Sequence, residues 1–260
     1  MPDLLRPIRR LYRRVFPRIA DPWLDSEVVP APRDSEFERV YASALTAEEL
    51  RDPFVEARYR EGRRWRSVLD RLDVGGDLVL DLGAGNGAVA LAGSAGGYRV
   101  VAVDALWNEV ARRTRAKAGG SFHYVIADGR ALPFLDGAFG AMLCLETIEH
   151  FQDAAKSGAE ASRVLRGGGA IVLITPARLA WIFRPDPHFG IRGLLLLPAA
   201  LQRRVAMSRG FDQVQHFVDR IYTTAREIED LFPECRIERV MTRSRLPKRW
   251  FWDALLLRKQ

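Results

Sequence analysis

The sequence predicts an α/β fold built on a mostly parallel sheet, and three observations predict it. From Asp77 onward, short β-branched apolar runs alternate with helical patterns. The first run, Val79-Leu80-Asp81-Leu82, enters a glycine-dense turn, Gly83-Ala84-Gly85-Asn86-Gly87, and a helix pattern follows. Acids then close successive strands: Asp81, Asp104 and Asp128. A strand–glycine turn–helix unit brings backbone N–H groups and a helix N-terminus close to a ligand at the carboxyl ends of parallel strands.

The elements follow in order. Leu4, Leu5, Ile8, Leu11, Tyr12, Val15, Phe16 and Ile19 recur at helical spacing, with Arg6, Arg9, Arg10, Arg13 and Arg14 on the other face. This basic amphipathic helix has two readings, an interfacial membrane helix or a helix docked on the domain, and a mitochondrial-type presequence shares the pattern. Residues 22–32 form a proline-containing connector. Helical patterns cover residues 36–44 and 47–72, the second opened by the capping box Thr46-Ala47-Glu48-Glu49, and both are expected across the mouth of the site.

Strands are then predicted over residues 78–82, 99–104, 122–127, 138–145 and 170–175, the last after the turn Gly167-Gly168-Gly169. Helices are predicted near 87–95, 107–118 and 152–165. Residues 176–210 break the rhythm with prolines, the run Leu194-Leu195-Leu196-Leu197 and Gln202-Arg203-Arg204, and read as a lid or substrate loop. A helix over 224–232 and strands over 236–242 and 250–258 close the chain, the last expected to be antiparallel. The domain reading is a helical extension or lid over residues 1–72 and a second unit over 73–260 carrying the insertion.

Composition sets outer bounds. A chain of 260 residues with 48% apolar content supplies a core for one large domain. No apolar run approaches the about 18 residues that a membrane span needs. The amino end lacks a secretory apolar core and cleavage site, so the expected location is cytoplasmic, with residues 1–20 as a candidate membrane-surface contact. Cys144 and Cys235 lie in apolar strand-like stretches and read as buried thiols in a reducing compartment. The net charge of +7 comes almost wholly from arginine, which reflects base composition as much as function, while still favouring anionic partners.

The acids carry the functional reading. A carboxylate at the end of the second strand, Asp104, is placed to accept both hydroxyls of a ribose. The pair Asp128-Gly129 after the third strand is placed to accept an adenine amino group, the glycine allowing close approach. Any one of these acids alone reads as a helix cap or turn; three in register with one glycine turn do not.

At this point the chain resembles the class I S-adenosylmethionine-dependent methyltransferases, type 11-like. The matching pieces are Asp81-Leu82-Gly83-Ala84-Gly85-Asn86-Gly87, Asp104, Asp128-Gly129-Arg130-Ala131-Leu132-Pro133-Phe134 and Val164-Leu165-Arg166-Gly167-Gly168-Gly169. The resemblance implies a Rossmann-like, seven-stranded, mostly parallel sheet whose last strand is antiparallel. It implies S-adenosylmethionine as cofactor, with Asp81, Gly83, Gly85, Asn86, Asp104, Asp128, Gly129 and Glu146 as the expected binding residues. Two positions depart from the pattern: Gly140 stands where an Asp is usual, and Gly167 replaces a proline.

A polar cluster, Glu146-Thr147-Ile148-Glu149-His150, follows the fourth strand. On a helical turn Glu146, Glu149 and His150 would face one point. Two carboxylates and an imidazole suit a divalent ion such as Mg²⁺, Mn²⁺ or Zn²⁺. The metal set is Glu146, Glu149, His150 and His216, with His188 as a further downstream imidazole. This E-x-x-E-H pattern resembles that of ubiquinone-pathway O-methyltransferases and of small-RNA 3′-terminal 2′-O-methyltransferases. The catalytic candidates are His150, His216 and Glu149, with His150 as general base. An acid–His pair here is equally read as a helix cap and a packing histidine.

The leading expectation is therefore O-methylation of a small-molecule or lipid-like acceptor. The alternatives are a nucleic-acid methyltransferase and a cofactor-binding partner subunit without catalysis. No N-P-P-Y tetrapeptide follows the fourth strand, which counts against methylation of base amino groups. The G-x-G-x-G spacing counts against a dinucleotide-dependent dehydrogenase.

Overall fold

The computed structural model describes residues 45, 46, 48, 49, 52–74, 76, 78–117, 120–182, 185–211, 218 and 220–260. The expectations for the helices over residues 4–19 and 36–44, the connector over 22–32 and His216 lie outside the described residues.

Among the described residues, strands β1 (Leu78–Leu82), β2 (Arg99–Asp104), β3 (Phe122–Ile126), β4 (Phe139–Leu145), β5 (Leu165–Ile174), β6 (Cys235–Met241) and β7 (Ala254–Lys259) form one sheet. Its order is β3-β2-β1-β4-β5-β7-β6. Pairs from β3 to β5 are parallel, and β7 runs antiparallel to both β5 and β6. The strand order reverses at β1, which pairs β2 on one side and β4 on the other. The carboxyl end of β1 therefore opens the crevice in which an open sheet binds its ligand.

Both faces of the sheet are apolar, as parallel strands buried on both sides require. Val79, Val100, Ala102, Ala141, Leu143 and Val172 face one core, which includes helices α1 (Pro53–Leu69) and α2 (Ala88–Ala95). Leu80, Val103, Met142, Cys144, Ile171 and Leu173 face the other, covered by later helices. The alternation is the two-residue period of a strand. Helix α3 (Glu109–Lys117) follows β2, and α4 (Ala154–Val164) joins β4 to β5. The insertion contains α5 (Arg178–Trp181), a 3₁₀ turn (Leu194–Leu196) and α6 (Ala199–Ser208), and α7 (Ala225–Glu229) precedes β6. No described helix is long and apolar enough to cross a membrane.

Two local readings change. The capping box at Thr46 forms, with the Glu49 N–H donating to Thr46 Oγ1, but the helix starts later. Asp52 is the N-cap of α1, accepting from the Phe54 N–H at 2.8 Å, because Pro53 is suited to a first helical position. The three glycines Gly167-Gly168-Gly169 are an irregularity inside β5: the strand pairs Leu165 with Phe139, then resumes at Ala170 with Ala141. The extra residues loop outward, and Arg258 holds them by donating to the Gly168 carbonyl at 2.9 Å.

Gly140 also finds its reason here. A Cβ at this position would lie 2.6 Å from the Arg166 guanidinium and 2.6 Å from the Val74 carbonyl oxygen. Arg166, which donates to that carbonyl, fills the space an Asp side chain would need. The arginine- and aromatic-rich tail is folded in: the Trp252 indole N–H donates to the Thr175 carbonyl at 3.1 Å, in the core.

Candidate functional site

The glycine loop is held from both sides. The N–H groups of Gly83 and Ala84 donate to the Val103 carbonyl at 2.8 and 2.9 Å, tying the loop to β2. The Gly85 N–H donates to Asp104 Oδ2 at 2.8 Å, and Asp104 Oδ1 accepts from Leu106 N–H at 2.9 Å. Tyr124 donates its hydroxyl to the Gly85 carbonyl at 2.9 Å. Asn86 Oδ1 accepts from the Ala88 N–H at 3.0 Å and so satisfies the first turn of α2.

Two glycines have different duties. Gly83 sits at φ +80°, and an added Cβ would meet the Thr147 side chain at 2.3 Å. Thr147 is buried there, donating toward the carbonyls of Leu82 and Leu145. Gly85 sits at φ +51°, with nothing within 4 Å of the Cβ position. Gly83 is thus required by packing within the protein, whereas Gly85 borders open space above the crevice.

Asp81 is 1% exposed, and its Oδ2 has no hydrogen-bond partner among the described residues. Burial pushes its pKa up to about 7; the Arg58 guanidinium works against that shift, while Asp104 and Glu61 add to it. Arg58 comes from α1, lies 3.5 Å from Glu146 Oε2, pairs with Glu61, and donates to the Leu145 carbonyl at 3.3 Å. Three carboxylates, those of Asp81, Glu61 and Glu146, therefore surround one arginine at the mouth of β1. Sequence reasoning missed Arg58 and Glu61. They look like an ordinary i, i+3 surface pair, and only the docking of α1 turns them toward the crevice.

Asp128 ends the loop after β3, with Gly129 beside Ser157 and Phe151. Its carboxylate accepts from the Arg130 side chain at 2.6–3.0 Å and from the Arg130 N–H at 2.8 Å. The arginine holds its pKa low, at about 2.

The polar cluster after β4 differs from the helical turn expected. Glu146 adopts φ +54°, a left-handed backbone at the strand end, and its N–H donates to the Ile174 carbonyl. The following turn is a short 3₁₀ segment, Ile148–His150. Glu146 thus lies outside the turn, and its carboxylate faces Arg58 instead of joining Glu149 and His150. Partial burial raises its pKa, with Arg58 opposing.

Glu149 is fully buried. The Thr175 hydroxyl donates to its Oε2 at 2.9 Å, and its Oε1 lacks a hydrogen-bond partner among the described residues. The insertion brings His188 to this oxygen, with Nε2 at 3.8 Å. The His150 and His188 rings meet edge to face at 5.2 Å. Donor atoms of Glu149, His150 and His188 all lie within 4.8 Å of one another.

Asp186 delivers His188. Its Oδ1 accepts the N–H groups of His188 and Phe189 at 3.0 and 2.8 Å, and its Oδ2 accepts that of Ile191 at 2.8 Å. Asp186 is 4% exposed, so these amides replace its lost water. The signal is visible in hindsight as Asp186-Pro187-His188-Phe189-Gly190, a turn-forming acid followed by proline and glycine. Asp186→Ala leaves three donors without their acceptor and is expected to cost about 1–3 kcal/mol of stability. Amide hydrogen exchange should accelerate at 188–191 while β1 and β4 stay protected; unchanged exchange there would show that Asp186 does not hold the loop.

Comparison with known proteins agrees with this geometry. A protein-family model described as a methyltransferase domain matches residues 80–173. This segment is a class I methyltransferase domain. The chain is similar to an uncharacterized methyltransferase of Mycobacterium sp. (strain JLS), 40% identical over 99 residues, covering 38% of each chain. It is also similar to the demethylmenaquinone methyltransferase of Thermus thermophilus, 36% identical over 117 residues, covering 43% of this chain and 53% of that one. The chain thus spans between about a third and a half of the length of these curated relatives. Among solved structures, the PH0226 protein of Pyrococcus horikoshii shares the fold, with a TM-score of 0.54 and 16% identity over 88% of this chain and all of that one. The methyltransferase domain contains Asp81, the glycine loop, Asp104, Asp128 and the Glu146–His150 cluster; His188 lies beyond its matched end.

Proposed function

We propose that the chain is an S-adenosylmethionine-dependent methyltransferase acting at oxygen on a small-molecule or lipid-like acceptor. The observation that carries this reading is the crevice at β1. A buried Asp81 oxygen lacks a partner there, and Gly85 opens onto free space beside a carboxylate-rich mouth. These residues suit a cofactor that bears an ammonium, a ribose and an adenine. The expected contacts are Asp81, Gly83, Gly85, Asn86, Asp104, Asp128, Gly129 and Glu146, to which Arg58 is added for the cofactor's carboxylate.

When bound, the cofactor supplies a methyl group on a good leaving group, so the protein's task is alignment and exclusion of water. Asp104 holds the glycine loop in shape through Gly85, and Thr147 supports it from below. The acceptor end is the Glu149, His150 and His188 cluster. An imidazole there takes the proton that an acceptor hydroxyl must lose, with Glu149 orienting it. The likeness to demethylmenaquinone methyltransferases supports a small-molecule acceptor. The insertion supports a lipid-like one, since Leu194 and Leu195 are buried while Leu196 is exposed beside them.

The test is calorimetry with S-adenosylhomocysteine, followed by transfer from methyl-labelled S-adenosylmethionine to a cell extract split into organic-soluble and RNA fractions. Binding plus label in the organic fraction is expected, with Asp104→Ala losing both. Label confined to RNA, or binding with no transfer to any fraction, would replace this reading by one of its alternatives.

A further inference from the structure

The Glu149, His150 and His188 cluster contains a feature that methyl transfer does not by itself require. Glu149 is wholly buried, one oxygen is held by Thr175, and the other has no hydrogen-bond partner among the described residues and lies 3.8 Å from His188 Nε2, with His150 in the same cluster. A buried carboxylate without a full set of partners is costly. We propose that Glu149, His150 and His188 bind one divalent transition-metal ion, with His188 supplied by the insertion and Glu146 outside the ligand set.

The arrangement meets the requirements of such a site. Three donors come from two separate segments and lie within 4.8 Å of one another. An ion about 2.0–2.2 Å from each donor needs donor separations of about 3.0–3.4 Å, so side-chain rotations that bring the donors at most about 1.8 Å closer together close the set. The supports around the ligands are built in: Thr175 orients the carboxylate, and Asp186 fixes the backbone on which His188 stands. Metal sites depend on such supports for ligand orientation. Three protein ligands leave coordination positions open toward the acceptor end.

The donor set also selects the ion. Two imidazoles and one carboxylate suit Zn²⁺, Co²⁺, Ni²⁺ or Mn²⁺ better than Mg²⁺, which prefers oxygen. Glu146 is excluded by its left-handed backbone and by Arg58, whose positive charge it faces. This differs from the ligand set that the E-x-x-E-H spacing suggests, which places Glu146 in the site. An imidazole ligated through one nitrogen carries its proton on the other, so in the metal-bound protein the ion, by acidifying an acceptor hydroxyl beside it, would take over the role given above to a histidine base.

The proposal concerns the same end of the site as the proposed methyl transfer, but its test does not depend on that activity. The full chain is stripped with a chelator, dialysed and titrated with Co²⁺, following visible ligand-field absorption, with Mg²⁺ at millimolar concentration as competitor. One equivalent of cobalt is expected, resistant to Mg²⁺. His188→Ala and His150→Ala should each weaken binding at least tenfold. Glu146→Gln and His123→Ala, the latter at an exposed histidine of β3, should leave it within about twofold. Circular dichroism and a thermal melt of each variant report whether the domain is folded, and S-adenosylhomocysteine calorimetry on the unsubstituted protein reports cofactor binding separately.

His188 lies on a loop, so its variant keeps the test meaningful even where a Glu149 variant fails to fold. Absence of a stoichiometric cobalt band, unchanged binding in His188→Ala, or loss of binding in Glu146→Gln or His123→Ala each overturns the proposal. Loss of the cobalt band with intact cofactor binding removes only the metal site. Cobalt binding without cofactor binding removes only the methyltransferase reading.

Discussion

Asp81→Asn is expected to stabilise the cofactor-free protein at pH 8 and to weaken its binding of S-adenosylmethionine. Burial raises the Asp81 pKa to about 7 in the fold, against an ordinary value of 3.8 for an aspartate in water. The folded state therefore binds the proton more tightly than the unfolded chain does. By linkage, the contribution of this group to stability is fully present below about pH 4, falls as pH rises, and is lost above about pH 7. A difference of about three pK units corresponds to a cost on the order of 2–4 kcal/mol at pH 8.

Asparagine has nearly the same shape and no ionisation, so it removes that cost at pH 8 and changes little at pH 4. Denaturant melts of both proteins at several pH values measure this; parallel curves would show that Asp81 ionises normally. The functional side has the opposite sign. A cofactor ammonium favours the carboxylate form, so wild-type affinity should rise between pH 6 and 8 with release of a proton. Calorimetry in buffers of different ionisation enthalpy reads that proton. In Asp81→Asn the affinity should be lower and flat across the same range.

The glycine loop gives the second large effect, a contrast between two neighbours. Gly85→Leu places a side chain where nothing lies within 4 Å, at φ +51°. The cost to the fold is that of a left-handed residue, about 1–2 kcal/mol. The leucine then fills the space over the crevice, and cofactor affinity should fall at least a hundredfold. Gly83→Ala is the converse. Its methyl would collide with Thr147 at 2.3 Å, under a loop at φ +80°, and Thr147 is itself held by two carbonyls. Stability should drop by about 2–4 kcal/mol. Equal stability loss in the two variants, or unchanged cofactor affinity in Gly85→Leu, would contradict the assignment of open space to the ligand.

The central strands were readable nearly residue for residue. The predicted ranges 78–82 and 99–104 match β1 and β2, because strands buried on both faces are continuous apolar runs with sharp polar ends. The edges of elements were less readable where local signals compete. Thr46 and Asp52 are both good caps, and Pro53 decides between them only once α1 packs against α2. The glycines at 167–169 carry a turn signature, yet β4 pairs with residues on both sides of them, so they bulge from a continuous strand instead of preceding one. The Glu146, Glu149, His150 spacing suggested one helical face, and a left-handed Glu146 broke it.

By itself, then, the sequence determined the sheet, its switch point and the row of residues along it: the glycine loop, Asp81, Asp104 and Asp128. These are set by neighbours in the chain, through period-two burial, strand ends and the φ values that glycine permits. Only the tertiary structure decided what those residues face. Arg58 reaches the crevice because α1 packs across the sheet. His188 reaches Glu149 because Asp186 gathers the amides of the distant loop that carries it. Such contacts depend on desolvated charges finding partners far away in sequence, and no local spacing encodes that search.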